Sequence, residues 1–122
     1  MKQKAFVQYL RDTAEVLKPY TRLGSPGTKY WNGTAYVESD TTQFEPQALA
    51  WWSTLTAISE MIDHQDTPLS KKQQTYLHGL LFGGMGSLND LSISSNSSGK
   101  NAKSVNAHLD RQRRLLFESF NG

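Results

Sequence analysis

The fold is predicted most directly by residues 46–93, which read PQALAWWSTLTAISEMIDHQDTPLSKKQQTYLHGLLFGGMGSLNDLSI. Apolar residues recur in this stretch at steps of three and four, the spacing that places side chains on one face of a helix. Two such faces flank the polar link at residues 65–68: Leu49, Trp52, Leu55, Ile58 and Ile62, then Tyr76, Leu77, Leu80 and Leu81. Because short links join antiparallel neighbours, the pattern predicts a helical hairpin that forms the core.

The flanking sequence predicts two further helices and a short β-hairpin. Residues 3–19 carry apolar side chains at helical spacing, and Pro19 is expected to end that helix. Residues 29–37 place aromatic and β-branched residues on both sides of Asn-Gly, which is a signal for a two-residue hairpin turn. A last helix follows a Ser-rich loop and reaches about Phe120. We expect an all-α, single-domain bundle over residues 1–122, with four to five helices and a small hairpin or ordered loop inserted between the first two.

The second helix of the predicted hairpin has distinctive ends. Ser70, with Gln three residues later, matches a capping box and predicts the helix start. Four glycines lie near its end, and Gly79 and Gly83 share one face, so we expect another backbone or ring to approach them closely. The glycines do not have the spacing of a phosphate-binding loop. Asn89 and Asp90 are expected to form a buried hydrogen-bonding pair that fixes a kink.

Composition limits the class of protein. Hydrophobic residues make up 37% of the chain and charged residues 20%, which is typical of a globular domain. No apolar run approaches the roughly 20 residues that span a bilayer, and the N-terminus lacks the apolar segment of a secretory signal. The chain contains no cysteine, which excludes disulfides and fits a reducing compartment. We therefore expect a cytoplasmic protein that has no contact with the membrane.

Charge is segregated along the chain. Residues 1–30 carry a net charge of +4, residues 31–70 a net charge of −6 without a single Lys or Arg, and residues 71–122 a net charge of +4. Such asymmetry bears on partners more than on fold. Two explanations remain open. The acidic block pairs with the basic ends within one monomer, or it forms a surface for a basic partner.

No motif for catalysis or metal binding is present. His64, His78 and His108 are far apart, and no pair has the spacing of metal ligands on a helix. We expect no catalytic residue, no cofactor and no metal, and hence a protein that is not an enzyme. The basic residues of the C-terminal region support an alternative, a nucleic-acid-associated or regulatory helical protein: Lys100, Lys103, Arg111, Arg113 and Arg114.

One resemblance points to a function. The Trp51-Trp52 pair on one helix, followed by LFGGMGSLNDL at residues 81–91, resembles immunity proteins of bacterial polymorphic toxin systems, in particular those of contact-dependent growth inhibition. The resemblance covers residues 46–93. It implies that the chain binds one cognate toxin domain and masks its active site. Many such toxins are nucleases with basic substrate grooves, an EndoU-like RNase being one candidate, and carboxylates can occupy positions meant for phosphates.

The candidate partner-binding residues combine aromatic rings with carboxylates. Aromatic side chains dominate binding hot spots, and complementary charge speeds the encounter between partners. On this hypothesis Trp31 is a buried anchor in the complex. The alternative is that the aromatic rings simply cap one end of the helical core. The predicted partner-binding residues are Tyr30, Trp31, Tyr36, Glu38, Asp40, Glu45, Glu60, Asp63 and Asp66.

Overall fold

The computed structural model describes residues 1–21, 29–31, 34–38, 45–93 and 102–122. These residues form four α-helices and one two-stranded antiparallel sheet, which confirms the predicted all-α class with a hairpin between the first two helices. Two short 3₁₀ helices, Lys18–Tyr20 and Leu88–Asp90, follow the first and third α-helices. In chain order the elements are α1 Gln3–Leu17, β1 Lys29–Trp31, β2 Tyr36–Glu38, α2 Pro46–Asp63, α3 Lys71–Phe82 and α4 Ala102–Asn121.

Helix α1 lies at the centre of the bundle and packs closely against both α2 and α4. Its apolar stripe is fully buried, including Leu10, because a helix with neighbours on two sides leaves little of that face to water. Backbone hydrogen bonds fix both neighbours as antiparallel to α1. The N–H of Glu45, before α2, donates to the carbonyl oxygen of Tyr20 at 2.8 Å, and the N–H of Lys2 donates to Ser119 in α4 at 2.9 Å.

The central position of α1 corrects the predicted core. We expected α2 and α3 to pack as an antiparallel hairpin, but the close helix pairs of the described residues are α1 with α2 and α1 with α4. The connection between α2 and α3 is instead attached to α1, because Gln3 accepts a hydrogen bond from the N–H of Leu69 at 3.2 Å. Helical periodicity identifies which face of a helix is buried, but it does not identify the helix that covers the face.

The hairpin between α1 and α2 has a longer loop than predicted. Its strands pair antiparallel with Lys29 opposite Glu38 and Trp31 opposite Tyr36. This register leaves four residues between the strands, where an Asn-Gly turn predicts two. Residues 32 and 33, which carry the Asn-Gly signal, lie outside the described residues.

The start of α3 agrees with the predicted capping box. The Ser70 hydroxyl accepts from the N–H of Gln73 at 3.1 Å, and the Gln73 side-chain oxygen accepts from the N–H of Ser70 at 2.9 Å. These two bonds satisfy backbone donors that a helix N-terminus otherwise leaves unpaired. The sequence therefore defines this helix boundary correctly.

Two side chains of α4 hold the segment that follows α3. Asn106 accepts from the N–H of Ile93 at 2.8 Å and donates to its carbonyl oxygen at 2.9 Å, which reproduces the pairing of a β-ladder. The Arg113 guanidinium donates to the carbonyl oxygens of Leu88 at 2.7 Å and Leu91 at 2.6 Å, and it also pairs with Asp110. Leu88, Leu91 and Ile93 are buried, and α4 fixes the backbone between them.

This arrangement corrects two expectations. Arg113 was predicted as part of an exposed basic patch, but it is buried and satisfies carbonyl groups of the core. Asn89 and Asp90 were predicted as a buried pair, but both are exposed. Asp90 instead accepts a hydrogen bond from the N–H of Gly86 at 3.2 Å and so closes the turn before the 3₁₀ helix.

The surroundings of Gly79 and Gly83 do not support the predicted close approach of another backbone or ring. Open space surrounds Gly79 where a Cβ would stand. At Gly83 a Cβ would collide with the carbonyl oxygen of Gly79, which belongs to the same helix. Gly86 is different, because its φ of 84° lies in the left-handed region that favours glycine. The glycines therefore serve the local geometry of this helix end.

Substituting alanine at two of these glycines is expected to change stability in opposite directions. Gly79→Ala should raise the free energy of unfolding by about 0.5–1 kcal/mol, because alanine is the better helix former and has room. Gly86→Ala should lower it by about 1–2 kcal/mol, because an L side chain is strained at positive φ. Urea denaturation followed by circular dichroism measures both. A loss of stability in the Gly79 variant would restore the close-approach hypothesis.

Candidate functional site

The connection between α2 and α3, residues 64–70, is held rigidly by amide side chains. The Gln65 side-chain amide donates to the carbonyl oxygens of Thr67 at 2.9 Å and Pro68 at 3.2 Å. Gln73, on α3, donates to the Gln65 side-chain oxygen at 2.9 Å. This α2–α3 turn is therefore preorganised, and a partner that binds it loses little entropy in ordering it.

An apolar groove lies on the α3 side of the α2–α3 turn. Its volume is about 720 Å³. Tyr76 and Met61 line it, and 70% and 47% of their respective surfaces are exposed. Large apolar side chains exposed together indicate an interaction surface more strongly than isolated ones do. The residues that line the apolar groove are Met61, Gln65, Thr67, Pro68, Ser70, Lys72, Gln73, Tyr76 and Leu77.

A charged groove of about 650 Å³ lies on the α1 side of the same turn. It contains two cationic and two anionic side chains: Lys4, Arg11, Asp63 and Asp66. Gln65, Thr67 and Pro68 line both grooves, so the α2–α3 turn stands as a ridge between them. The two grooves and the ridge form one surface that offers apolar anchors on one side and charge on the other.

Two residues of the acidic block, Glu60 and Asp63, form ion pairs with a basic residue of the same monomer. For these two residues the structure supports pairing within the monomer. Arg11 Nη2 lies 3.2 Å from Asp63 Oδ2 and 3.6 Å from Glu60 Oε1. His64 Nε2 lies 3.3 Å from Glu60 Oε2, a contact that is an ion pair only when the imidazole is protonated. All four side chains keep substantial contact with solvent, so each pair is worth at most about 1 kcal/mol. Such weak pairs leave the carboxylates accessible to a partner.

The predicted partner-binding residues do not all fall in one place. Asp63 and Asp66 line the charged groove, and Glu60 is joined to Asp63 through Arg11. Glu45 precedes the first residue of α2, an 18-residue helix, and is thus separated from Asp63 by about 27 Å along its axis. The remaining residues belong to the hairpin or its connector. Tyr36 is exposed on β2, the backbones of Tyr30, Trp31 and Glu38 are in the strands, and Asp40 lies outside the described residues.

The residues that sequence reasoning missed at this surface are Met61 and Tyr76. Tyr76 was assigned to the buried face of α3, but Leu77 and Leu81 form that face, and Tyr76 is turned about 100° away from Leu77. Met61 follows Glu60 and precedes Ile62, outside the buried stripe of α2. The missed signal was the i, i+4 pair Leu77 and Leu81, which defines a narrower stripe than the one predicted.

A second exposed apolar area lies between α3 and α4. The rings of Phe82 and Phe117 meet edge to face with centroids 5.0 Å apart, and His78 lies beside both. Phe117 keeps 43% of its surface exposed. Of the basic residues predicted in this region, Lys103, Arg111 and Arg114 are exposed on α4, Arg113 is buried, and Lys100 lies outside the described residues. A nucleic-acid interface along α4 therefore has less charge than the sequence suggested.

The described residues contain no group of three or more His, Asp or Glu side chains that could hold a metal ion. None of the four helices in the described ranges is both long enough and apolar enough to cross a membrane. Comparison with known proteins gave no match for this chain among protein families, curated proteins or solved structures.

Proposed function

We propose that this chain is an immunity protein that binds a cognate bacterial toxin domain through the α2–α3 turn and masks its active site. It acts in the bacterial cytoplasm by occlusion and catalyses no reaction itself. The toxin domain is a protein with a basic active-site groove, such as that of an EndoU-like RNase. The observation that carries the proposal is the apolar groove with exposed Tyr76 and Met61, adjoining a charged groove that contains carboxylates.

The chemistry of this surface suits a basic protein partner. Tyrosine and methionine are enriched in interface cores, where desolvated rings supply most of the affinity. Asp63 and Asp66 line the adjoining charged groove. Their charges can attract a cationic surface at distances up to about one Debye length. The turn between the grooves is held by side-chain amides and needs no rearrangement on binding.

The position of the surface in the sequence also supports the proposal. The α2–α3 turn lies within residues 46–93, the stretch that resembles immunity proteins of toxin systems. The alternative, nucleic-acid binding by the C-terminal helix, depended on three arginines and two lysines. One of them, Arg113, is committed to carbonyl groups of the core. We therefore favour a protein partner over a nucleic acid.

Tyr76→Ala is expected to weaken binding to the toxin domain by about 2 kcal/mol, which is roughly a 30-fold increase in Kd, mainly through faster dissociation. The matched control is Tyr36→Ala, since Tyr36 has the same exposed fraction but lies on the hairpin. The measurement is binding kinetics against the toxin domain encoded beside the gene, together with inhibition of its activity. Both variants should keep the wild-type thermal stability, because both rings are largely exposed.

Three outcomes separate the hypotheses. Loss of binding in the Tyr76 variant alone supports the α2–α3 turn. Loss in the Tyr36 variant alone would place the interface on the hairpin and contradict the proposed surface. Failure of the wild-type protein to bind or inhibit the toxin domain, together with salt-dependent binding to RNA, would contradict the immunity function itself.

A further inference from the structure

The position of Arg11 has a consequence for how a cationic partner binds. Arg11 reaches from α1 to α2 and places one nitrogen, Nη2, between Asp63 Oδ2 at 3.2 Å and Glu60 Oε1 at 3.6 Å. The same side chain lines the charged groove, which Asp63 and Asp66 also line. In the free protein, Arg11 thus occupies the place that a positively charged side chain of a partner would take.

We propose that Arg11 is an internal competitor, which a cationic side chain of the partner displaces from Glu60 and Asp63 when the complex forms. The inference rests on the proposed function, because it assumes a basic partner at the α2–α3 turn. It goes further by naming the contact that must break and the chemistry of the group that replaces it. That group is a guanidinium or ammonium on the partner surface.

The energetics allow this exchange. Arg11, Glu60 and Asp63 keep 39%, 56% and 54% of their side-chain surfaces exposed, so the internal pairs are screened by water and weak. In a complex the same carboxylates would be shielded from water. A charge-assisted hydrogen bond is stronger in such a desolvated interface. Arg11 therefore lowers the affinity of this site for cationic partners by a moderate amount, because its weak ion pairs must break before a partner binds. Its removal should favour binding without disturbing the core, because it is bonded only at the surface.

The test compares Arg11→Gln with Arg114→Gln. Both substitutions remove one positive charge, but Arg114 is an exposed residue of α4 that lines neither groove, whereas Arg11 is paired with Asp63 and Glu60. Arg11→Gln should tighten binding by about three- to tenfold, through faster association at low salt, whereas Arg114→Gln should change it by less than about twofold. Arg11→Lys, which keeps the charge, should behave like the wild type. The thermal unfolding of all three variants should stay close to that of the wild type.

Two probes make the result independent of the identity of the toxin. One is the toxin domain encoded beside the gene, and the other is an amide-capped tetra-arginine peptide followed by NMR chemical-shift titration. The gain from Arg11→Gln should appear with both probes. It should disappear in a Glu60→Gln, Asp63→Asn background, because the carboxylates that Arg11 releases are then absent.

The outcomes distinguish this inference from the proposed function. Equal affinities of the Arg11→Gln and Arg114→Gln variants would overturn the competitor role, even if the toxin domain still binds in a Tyr76-dependent way. A gain that persists without the two carboxylates would also overturn it, since general charge would then be the cause. If the toxin domain does not bind at all, the proposed function fails, and the tetra-arginine titration still decides whether Arg11 competes for this site.

Discussion

Arg113→Met is expected to lower the free energy of unfolding by about 3–5 kcal/mol, a large part of the stability of a small domain. Methionine keeps much of the length of the side chain but removes its donors. The carbonyl oxygens of Leu88 and Leu91 then lose, inside the core, their hydrogen bonds from the guanidinium, and Leu88 keeps only the one from the N–H of Leu91. Each hydrogen bond from a charged group is worth roughly 1.5–3 kcal/mol. Urea or thermal denaturation of the purified variant measures the loss.

The control for this variant is Arg114→Met. Arg114 is the next residue in α4 but is exposed, so its substitution should change stability by less than about 0.5 kcal/mol. Equal effects of the two substitutions would mean that Arg113 is not bonded to the core. If the Arg113 variant is too unstable to purify, Arg113→Lys supplies an intermediate case, since an ammonium retains the charge without the planar fork.

Leu10→Ala is expected to cost about 3–5 kcal/mol, because Leu10 is fully buried in α1 between α2 and α4. The matched control is Leu80→Ala, which makes the same change at a half-buried position of α3 and should cost less than about 1.5 kcal/mol. Denaturant unfolding of both variants measures the difference. A larger loss of unfolding free energy in the Leu80 variant than in the Leu10 variant would contradict the central role of α1. It would indicate that α2 and α3 form the centre of the core.

Much of the fold was predictable because its signals are local. The capping box at Ser70 needs only residues within one helical turn, and α3 begins there as predicted. The end of α1 at Leu17 lies within two residues of Pro19, as predicted, although Lys18 keeps helical backbone angles and Pro19 lies in the 3₁₀ helix that follows. The burial of Leu88, Leu91 and Ile93 after the glycines also agrees with the apolar pattern.

The features that were not predictable depend on which elements meet in space. Nothing in the local sequence shows that Arg113 reaches carbonyl groups 22 and 25 residues earlier in the chain, so it was interpreted as part of a surface patch. The same limit applies to the packing of the helices, since the apolar stripe of α1 does not show that this helix, rather than α2, lies at the centre of the bundle. Long-range contacts determined both outcomes, and periodicity describes only one helix at a time.

The candidate site was predictable in part for the same reason. The carboxylates at the end of α2 belong to a block of sequence that contains no Lys or Arg, which is why they were predicted as partner-binding residues. Asp63 and Asp66 do lie on the proposed surface. Arg11, which pairs with Glu60 and Asp63, comes from α1 and lies 52 residues before Asp63 in the sequence, so the pattern did not specify the ion pairs. Tyr76 was interpreted as a core residue, because a three-and-four spacing alone does not show where a buried stripe ends.

The most direct test of the proposed surface is hydrogen–deuterium exchange of the protein alone and in complex with the proposed partner, a toxin domain from a neighbouring gene. We expect slower exchange on binding in residues 60–77, which contain the end of α2, the α2–α3 turn and the start of α3. Exchange in α4, residues 102–121, should be unchanged. Slower exchange confined to α4 or to the hairpin strands, with residues 60–77 unaffected, would contradict the proposed surface.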